Sequence, residues 1–176
     1  MEKLFLVISF SLVAFLSSCQ ESNEQPAQPK TQEQDLIQQN REFLQQERKR
    51  IDAFIKSNEF DMTRTGSGLY YMVISQPESA NEPMFTEGDE IEYDFRISLL
   101  DGSPVANSKE LGARTIRVGK DQVEIGLHEA FALMQLGGKY LFIFPSHLAH
   151  GISSNEDNVP PRSTLIYEIE PVKKLN

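Results

Sequence analysis

The sequence has no tryptophan, and its single cysteine is Cys19. One thiol cannot form an intramolecular disulfide or build the multi-cysteine ligand set of a structural zinc site. There are three histidines, His128, His147 and His150. His147 and His150 stand three apart but join no larger metal-ligand spacing, so no metal is expected. Cationic side chains are in deficit: 17 Lys and Arg face 26 Asp and Glu, a formal net charge of −9. No basic block interrupts this balance, so nucleic acid, whose phosphates require neutralisation, is not an expected partner. Neither an internal repeat nor a glycine-rich phosphate loop is present. The longest apolar run, Leu4 to Leu16 with only Ser9 and Ser11 inside it, is shorter than the roughly 20 residues of a membrane span.

That run has the length of a signal-peptide core and follows the positive charge of Lys3. It leads into Leu16-Ser17-Ser18-Cys19, which resembles a bacterial lipobox. The resemblance implies cleavage of residues 1–18 and a diacylglyceryl group on the Cys19 sulfur, with acylation of the new α-amine. Each buried methylene contributes about 0.8 kcal/mol, so several acyl chains anchor a protein to a membrane. The alternative is an ordinary signal peptide in which Cys19 is incidental. Residues 19–34 are rich in Glu, Gln, Ser and Asn, contain two prolines and lack bulky apolar residues. Such a stretch cannot offset its chain entropy by burial and reads as a disordered tether.

Residues 35–65 form the next unit, an amphipathic helix and a linker. Leu36, Ile37, Phe43, Leu44, Ile51, Phe54 and Ile55 recur at threes, fours and sevens, a one-sided apolar stripe ending near Ser57. Thr31 and Gln34 have the spacing of a capping box. Gln45 to Arg50 read as solvated faces. The stripe needs a partner, either the C-terminal domain of its own chain or a second copy. Its Ile37, Leu44, Ile51 and Ile55 positions predict the second copy, and hence a homodimer.

Residues 66–176 read as strands around one short helix. Leu69 to Ile74 is rich in strand formers. From Glu90 to Ser98, Ile91, Tyr93, Phe95 and Ile97 alternate with Glu92, Asp94 and Arg96, the pattern of a half-buried antiparallel strand. Asp101-Gly102 is a turn pair. Thr115 to Val118, Tyr140 to Phe144 and Thr164 to Val172 complete five strands. Leu127 to Leu136 reads as a helix stopped by Gly137-Gly138. Strands interrupted by a single helix predict an α+β fold.

Four segments of this domain, in order, resemble the FKBP-type peptidyl-prolyl isomerases. They are Gly68-Leu69-Tyr70-Tyr71; Leu99-Leu100-Asp101-Gly102-Ser103; Val118-Gly119-Lys120 through Val123 and Gly126 to Glu129-Ala130-Phe131-Ala132-Leu133-Met134 and Gly137-Gly138-Lys139; and Leu148-Ala149-His150-Gly151 followed by Val159-Pro160-Pro161 and Ser163 to Glu170. The similarity spans roughly residues 66–174. It implies a five-stranded antiparallel sheet curled around one short helix, with an apolar pocket between them and no cofactor. The preceding helix resembles the dimerising helix of envelope members. Lipobox, acidic tether and helix together look like the gliding-motility-associated FKBP-type lipoproteins of Bacteroidetes.

The resemblance assigns the pocket to Phe95, Val105, Val123, Glu124, Leu127, His150, Val159 and Tyr167. Leu127 stands where the family has a platform tryptophan, Ala106 where it has an aspartate, Arg114 where it has an aromatic, and His150 where it has a tyrosine. In relatives the backbone N–H at the Glu124 position meets the substrate, and the His150 ring retains a hydrogen-bond donor. Phe95 and Tyr167 read as core residues that also line the pocket. The implied function is a lipid-anchored isomerase of the cell envelope, acting on proline-containing polypeptides during folding of exported proteins. Its activity is expected to be weak because the indole and carboxylate are missing. The alternative is a non-catalytic lipoprotein that binds proline peptides or serves as a scaffold in an envelope machine.

Overall fold

The computed structural model describes residues 31–79, 81–149 and 159–176. The expectations placed on residues 1–30, including cleavage before Cys19, and on His150 lie outside these.

Helix α1 spans Gln32–Ser57 and begins with the expected capping box. The Thr31 hydroxyl accepts from the Gln34 N–H, and the Gln34 side chain accepts from the Thr31 N–H at 3.0 Å. Two of the orphan donors of the first turn are thereby satisfied. Next come β1 (Thr63–Arg64), β2 (Tyr70–Ser75), β3 (Glu90–Leu99), β4 (Pro104–Asn107), α2 (Ser108–Leu111), β5 (Arg114–Arg117), α3 (Ile125–Ala132), β6 (Lys139–Phe144) and β7 (Leu165–Lys174). The seven strands form one antiparallel sheet in the order β1-β2-β6-β7-β3-β4, with β5 also paired to β3.

The fold is α+β, but with seven strands rather than the five expected. The five expected strands are β2, β3, β5, β6 and β7. The additional β1 has two residues, and β4 has four and opens with Pro104. Segments so short show no period-2 pattern, and a proline is admissible here because it stands at the first residue of a strand at the end of the sheet. The β3–β4 connection is the expected turn: Gly102 adopts φ +88°, and the Asp101 carboxylate accepts from the Ser103 N–H at 2.9 Å. Helix α3 begins earlier and ends sooner than its apolar pattern suggested. Beyond Ala132, the Met134 carbonyl accepts from Phe85 N–H, and Gln135 N–H donates to the Tyr140 hydroxyl at 2.9 Å. These bonds to other segments replace continuation of the helix.

Two apolar clusters lie on opposite faces of the sheet. On the concave face Tyr93, Phe95, Phe142, Phe144, Leu165, Tyr167 and Ile169 pack with Leu127, Ala130 and Phe131 of α3. Tyr93 meets Phe131 edge-on, with ring centroids 4.9 Å apart. On the convex face Ile51, Phe54 and Ile55 of α1 pack with Tyr70, Leu141, Ile143 and Ile166. Strand β6 is therefore apolar at consecutive positions, because Tyr140, Phe142 and Phe144 face α3 while Leu141 and Ile143 face α1.

The C-terminal half of α1 is thus covered by its own domain rather than left for a second copy. Ile51 is 1% exposed, and complete burial of such a side chain contributes about 1.5–3 kcal/mol. Tyr70 ties down the same half by donating its hydroxyl to Asp52 at 3.1 Å. Burial, and then the Asp52 charge, raise the Tyr70 pKa above the usual phenol value. In the N-terminal half Leu36, Ile37 and Leu44 remain exposed.

Candidate functional site

The N-terminus of α3 enters the concave face between β6, β7 and the turn after β6. It can approach so closely because residue 126 is glycine. A Cβ there would stand 2.5 Å from Cδ1 of Phe144 and 2.9 Å from the Leu148 carbonyl oxygen. The Gly126 N–H donates to that same carbonyl at 2.9 Å. The Leu148 N–H in turn donates to Pro145 O at 2.9 Å, closing the turn that follows β6.

This placement brings most of the expected site residues together. Phe95, Leu127, Val159 and Tyr167 belong to one buried cluster, and the half-buried Val105 packs against it. They form a packed apolar base, each of the four no more than 5% exposed. Val123 does not join the base: at 37% exposed it lies at the rim, in the segment leading to α3. Glu124 occupies the N-cap position of α3 and is half-buried. Tyr167 lies in β7 with its ring edge-on to Phe144, centroids 4.6 Å apart, and its hydroxyl donates to the Glu124 carboxylate at 2.8 Å.

Three polar features of this region were not visible in the sequence. The first is that Tyr167–Glu124 bond, since Glu124 entered only through its backbone. The second is Arg114, whose guanidinium lies over the Phe95 ring at 4.5 Å from its centroid. A cation placed over an aromatic face is attracted by the ring quadrupole, so Arg114 covers the Phe95 ring. The third is Tyr93. Burial pushes its hydroxyl up to about 12, Arg114 opposes that shift, and Glu124 and Asp121 reinforce it. Tyr93 therefore remains a neutral phenol at physiological pH, among charges of both signs. The available signals were the arginine at position 114 and the glutamate beside Val123, but side-chain pairing between segments far apart in the chain is not visible in either.

The remaining histidines have structural contacts. The His128 ring accepts from Gly119 N–H at 2.9 Å through Nδ1, and its Nε2 lies 3.0 Å from the Asp121 carbonyl, latching the turn after β5 onto α3. The His147 Nε2 lies 3.0 Å from the Ser67 carbonyl.

Comparison with known proteins identifies the family of the domain. The family model of the FKBP-type peptidyl-prolyl cis-trans isomerase matches residues 82–172, over half of the chain. The chain belongs to this family. Among curated FKBP proteins it is similar to the probable FKBP-type peptidyl-prolyl cis-trans isomerase FkpA of Neisseria meningitidis, at 31% identity over 124 residues. That alignment covers 69% of this chain and 44% of the relative. It is also similar to human peptidyl-prolyl cis-trans isomerase FKBP10, at 32% identity over 57% of this chain and 17% of the relative. The chain thus spans less than half the length of these FKBP relatives. Among solved structures, FkpA from Escherichia coli superposes with a TM-score of 0.62 at 22% identity, covering 81% of this chain and 65% of that one. The likeness extends across the FKBP fold.

Proposed function

We propose that this chain is a peptidyl-prolyl cis-trans isomerase of low rate, held at a membrane of the cell envelope by lipid on Cys19 and acting on exported polypeptides. The observation that carries this reading is an FKBP-family domain in which Phe95, Leu127, Val159 and Tyr167 share one buried cluster and Tyr167 is tied to Glu124 at the N-cap of α3. The reaction needs no nucleophile and no proton transfer. The peptide bond is held planar by a barrier of about 18–20 kcal/mol, and X–Pro isomerisation unaided takes tens to hundreds of seconds. A surface that binds the twisted amide better than either planar form lowers that barrier. Twisting removes the charge separation of the resonance form, so dry apolar walls favour it.

Low rate follows from replacements at the base and edge. Leu127 offers less contact area than an indole, and Ala106 carries no carboxylate. A deficit of about 1–3 kcal/mol in transition-state binding corresponds to roughly tenfold to a hundredfold in rate. A protease-coupled assay with an Ala-Leu-Pro-Phe anilide is expected to give a kcat/KM lower by that factor than for a tryptophan-bearing relative. Saturable peptide binding without turnover would instead establish the second reading, a proline-binding module, which the same two replacements favour. Absence of both from a folded protein would remove the proline site altogether.

The anchor rests on the lone Cys19 at the end of a short apolar run. The mature wild-type N-terminus is expected to carry acyl mass on Cys19, and Cys19→Ser to abolish it; an unacylated wild-type protein would end this part of the reading. The likeness to gliding-motility lipoproteins supports an envelope role of the same kind. Leu36, Ile37 and Leu44 are the face we assign to a second copy.

A further inference from the structure

One buried ionisable side chain plays no part in the cluster described above. Glu47 lies in the middle of α1, is 2% exposed, and directs its carboxylate into the domain. Its Oε1 accepts from the Ser146 N–H at 2.8 Å and from the Thr164 hydroxyl at 2.8 Å, and its Oε2 accepts from the Ser146 hydroxyl at 3.2 Å. Docking alone would not call for a charge here, since Ile51 one turn on is held by apolar contact. Burying a carboxylate is costly unless hydrogen bonds compensate it, and such bonds fix geometry in a way apolar contact does not.

What Glu47 grips leads to the site along two routes. Ser146 lies in the turn after β6, whose Leu148 carbonyl holds the Gly126 N–H at 2.9 Å in the first turn of α3. Thr164 immediately precedes β7, which carries Tyr167, and Tyr167 holds Glu124 at the N-cap of α3. Both routes end on the turn that presents Glu124 and Leu127.

We propose that Glu47 is a positioning residue for the proline-binding surface: through Ser146 and Thr164 it sets the N-terminal turn of α3 and links the docking of α1 to the site. The functional part rests on the isomerase reading above; the structural part does not.

The test compares the full-length wild type with Glu47→Gln, Glu47→Leu and Thr164→Val. A glutamine can accept at Oε1 from Ser146 and Thr164 while its amide donates to the Ser146 hydroxyl, so the three contacts survive without the charge. Three readouts are needed: kcat/KM for the Ala-Leu-Pro-Phe anilide, hydrogen exchange at the Gly126 amide, and the melting curve. Glu47→Gln is expected to stay within about twofold of wild type in kcat/KM. Glu47→Leu is expected to lose about tenfold or more, measured well below its melting transition, because small misplacements of a binding surface have effects of that order. Gly126 exchange should accelerate in Glu47→Leu while the β3 amides stay protected. Thr164→Val removes one bond with little change of shape and is expected to show the same pattern in smaller degree, which keeps the test open if Glu47→Leu does not fold. A leucine or valine variant that melts lower yet retains wild-type kcat/KM and Gly126 protection would overturn the proposal and leave Glu47 as a docking contact. If the wild type itself neither turns over nor binds the peptide, the isomerase reading fails, and Gly126 exchange still decides whether Glu47 sets α3.

Discussion

Gly126→Ala is expected to lower stability by roughly 2–4 kcal/mol and to weaken proline-peptide binding with it. The added methyl would meet the Phe144 ring at 2.5 and 2.8 Å and the Leu148 carbonyl at 2.9 Å. Neither neighbour is a flexible side-chain end: the ring is packed between Phe142 and Tyr167, and the carbonyl is backbone. The clash can be relieved only by moving the first turn of α3, and that motion breaks the Gly126–Leu148 hydrogen bond. Denaturant unfolding and a peptide titration on the same sample measure the two effects. A wild-type midpoint with wild-type affinity would show that α3 does not depend on this close approach.

The second large effect is expected from Leu127→Trp, which places an indole where the family resemblance puts a platform tryptophan. Leu127 is 3% exposed and belongs to the cluster that contains Phe95, Phe144 and Tyr167. An indole inserted there overpacks the base, at a cost of about 1–3 kcal/mol. The melting transition should fall, with no gain in affinity for the proline peptide. Tighter binding at an unchanged melting temperature would mean that the base has room for the larger ring and that Leu127 is an open floor.

Much of the fold was readable where one face of an element is wet. Strand β3 alternates because Glu92, Asp94 and Arg96 point away from the core, and its register follows from that alternation. The unbroken apolar run of β6 from Tyr140 to Phe144 carries further information. A strand apolar at every position is covered on both faces, and among the elements only α1 had an unassigned apolar stripe to cover the second. The run therefore pointed to intramolecular docking of at least part of that helix. The base of the site was legible through family resemblance, in Phe95, Leu127, Val159 and Tyr167. Its polar rim was not, because Arg114 over Phe95 joins two strands and Tyr167 on Glu124 joins a strand to the N-cap of α3, contacts that no local pattern encodes. Glu47 was the least legible residue. It stands in a charged run that reads as solvent-facing, and its donors come from 99 and 117 residues further along the chain.

Helix α1 is buried against its domain along its C-terminal half, while the half ahead of Glu47 is largely exposed and is touched at Phe43 by the Arg162 guanidinium, 4.9 Å from the ring centroid, and this has a mechanical consequence. From Glu47 back to Thr31 the helix makes a rigid arm of about 24 Å at 1.5 Å per residue. Whatever is attached ahead of Thr31 acts at the end of this arm, with Glu47 near the fulcrum. A tilt of about 10° at the fulcrum displaces the arm's tip by about 4 Å. Conversely, a modest sideways load at the tip is multiplied into a much larger one on the short hydrogen bonds to Ser146 and Thr164. Tension applied to the N-terminal segment would therefore bear on the turn after β6 and on the residue that leads into β7.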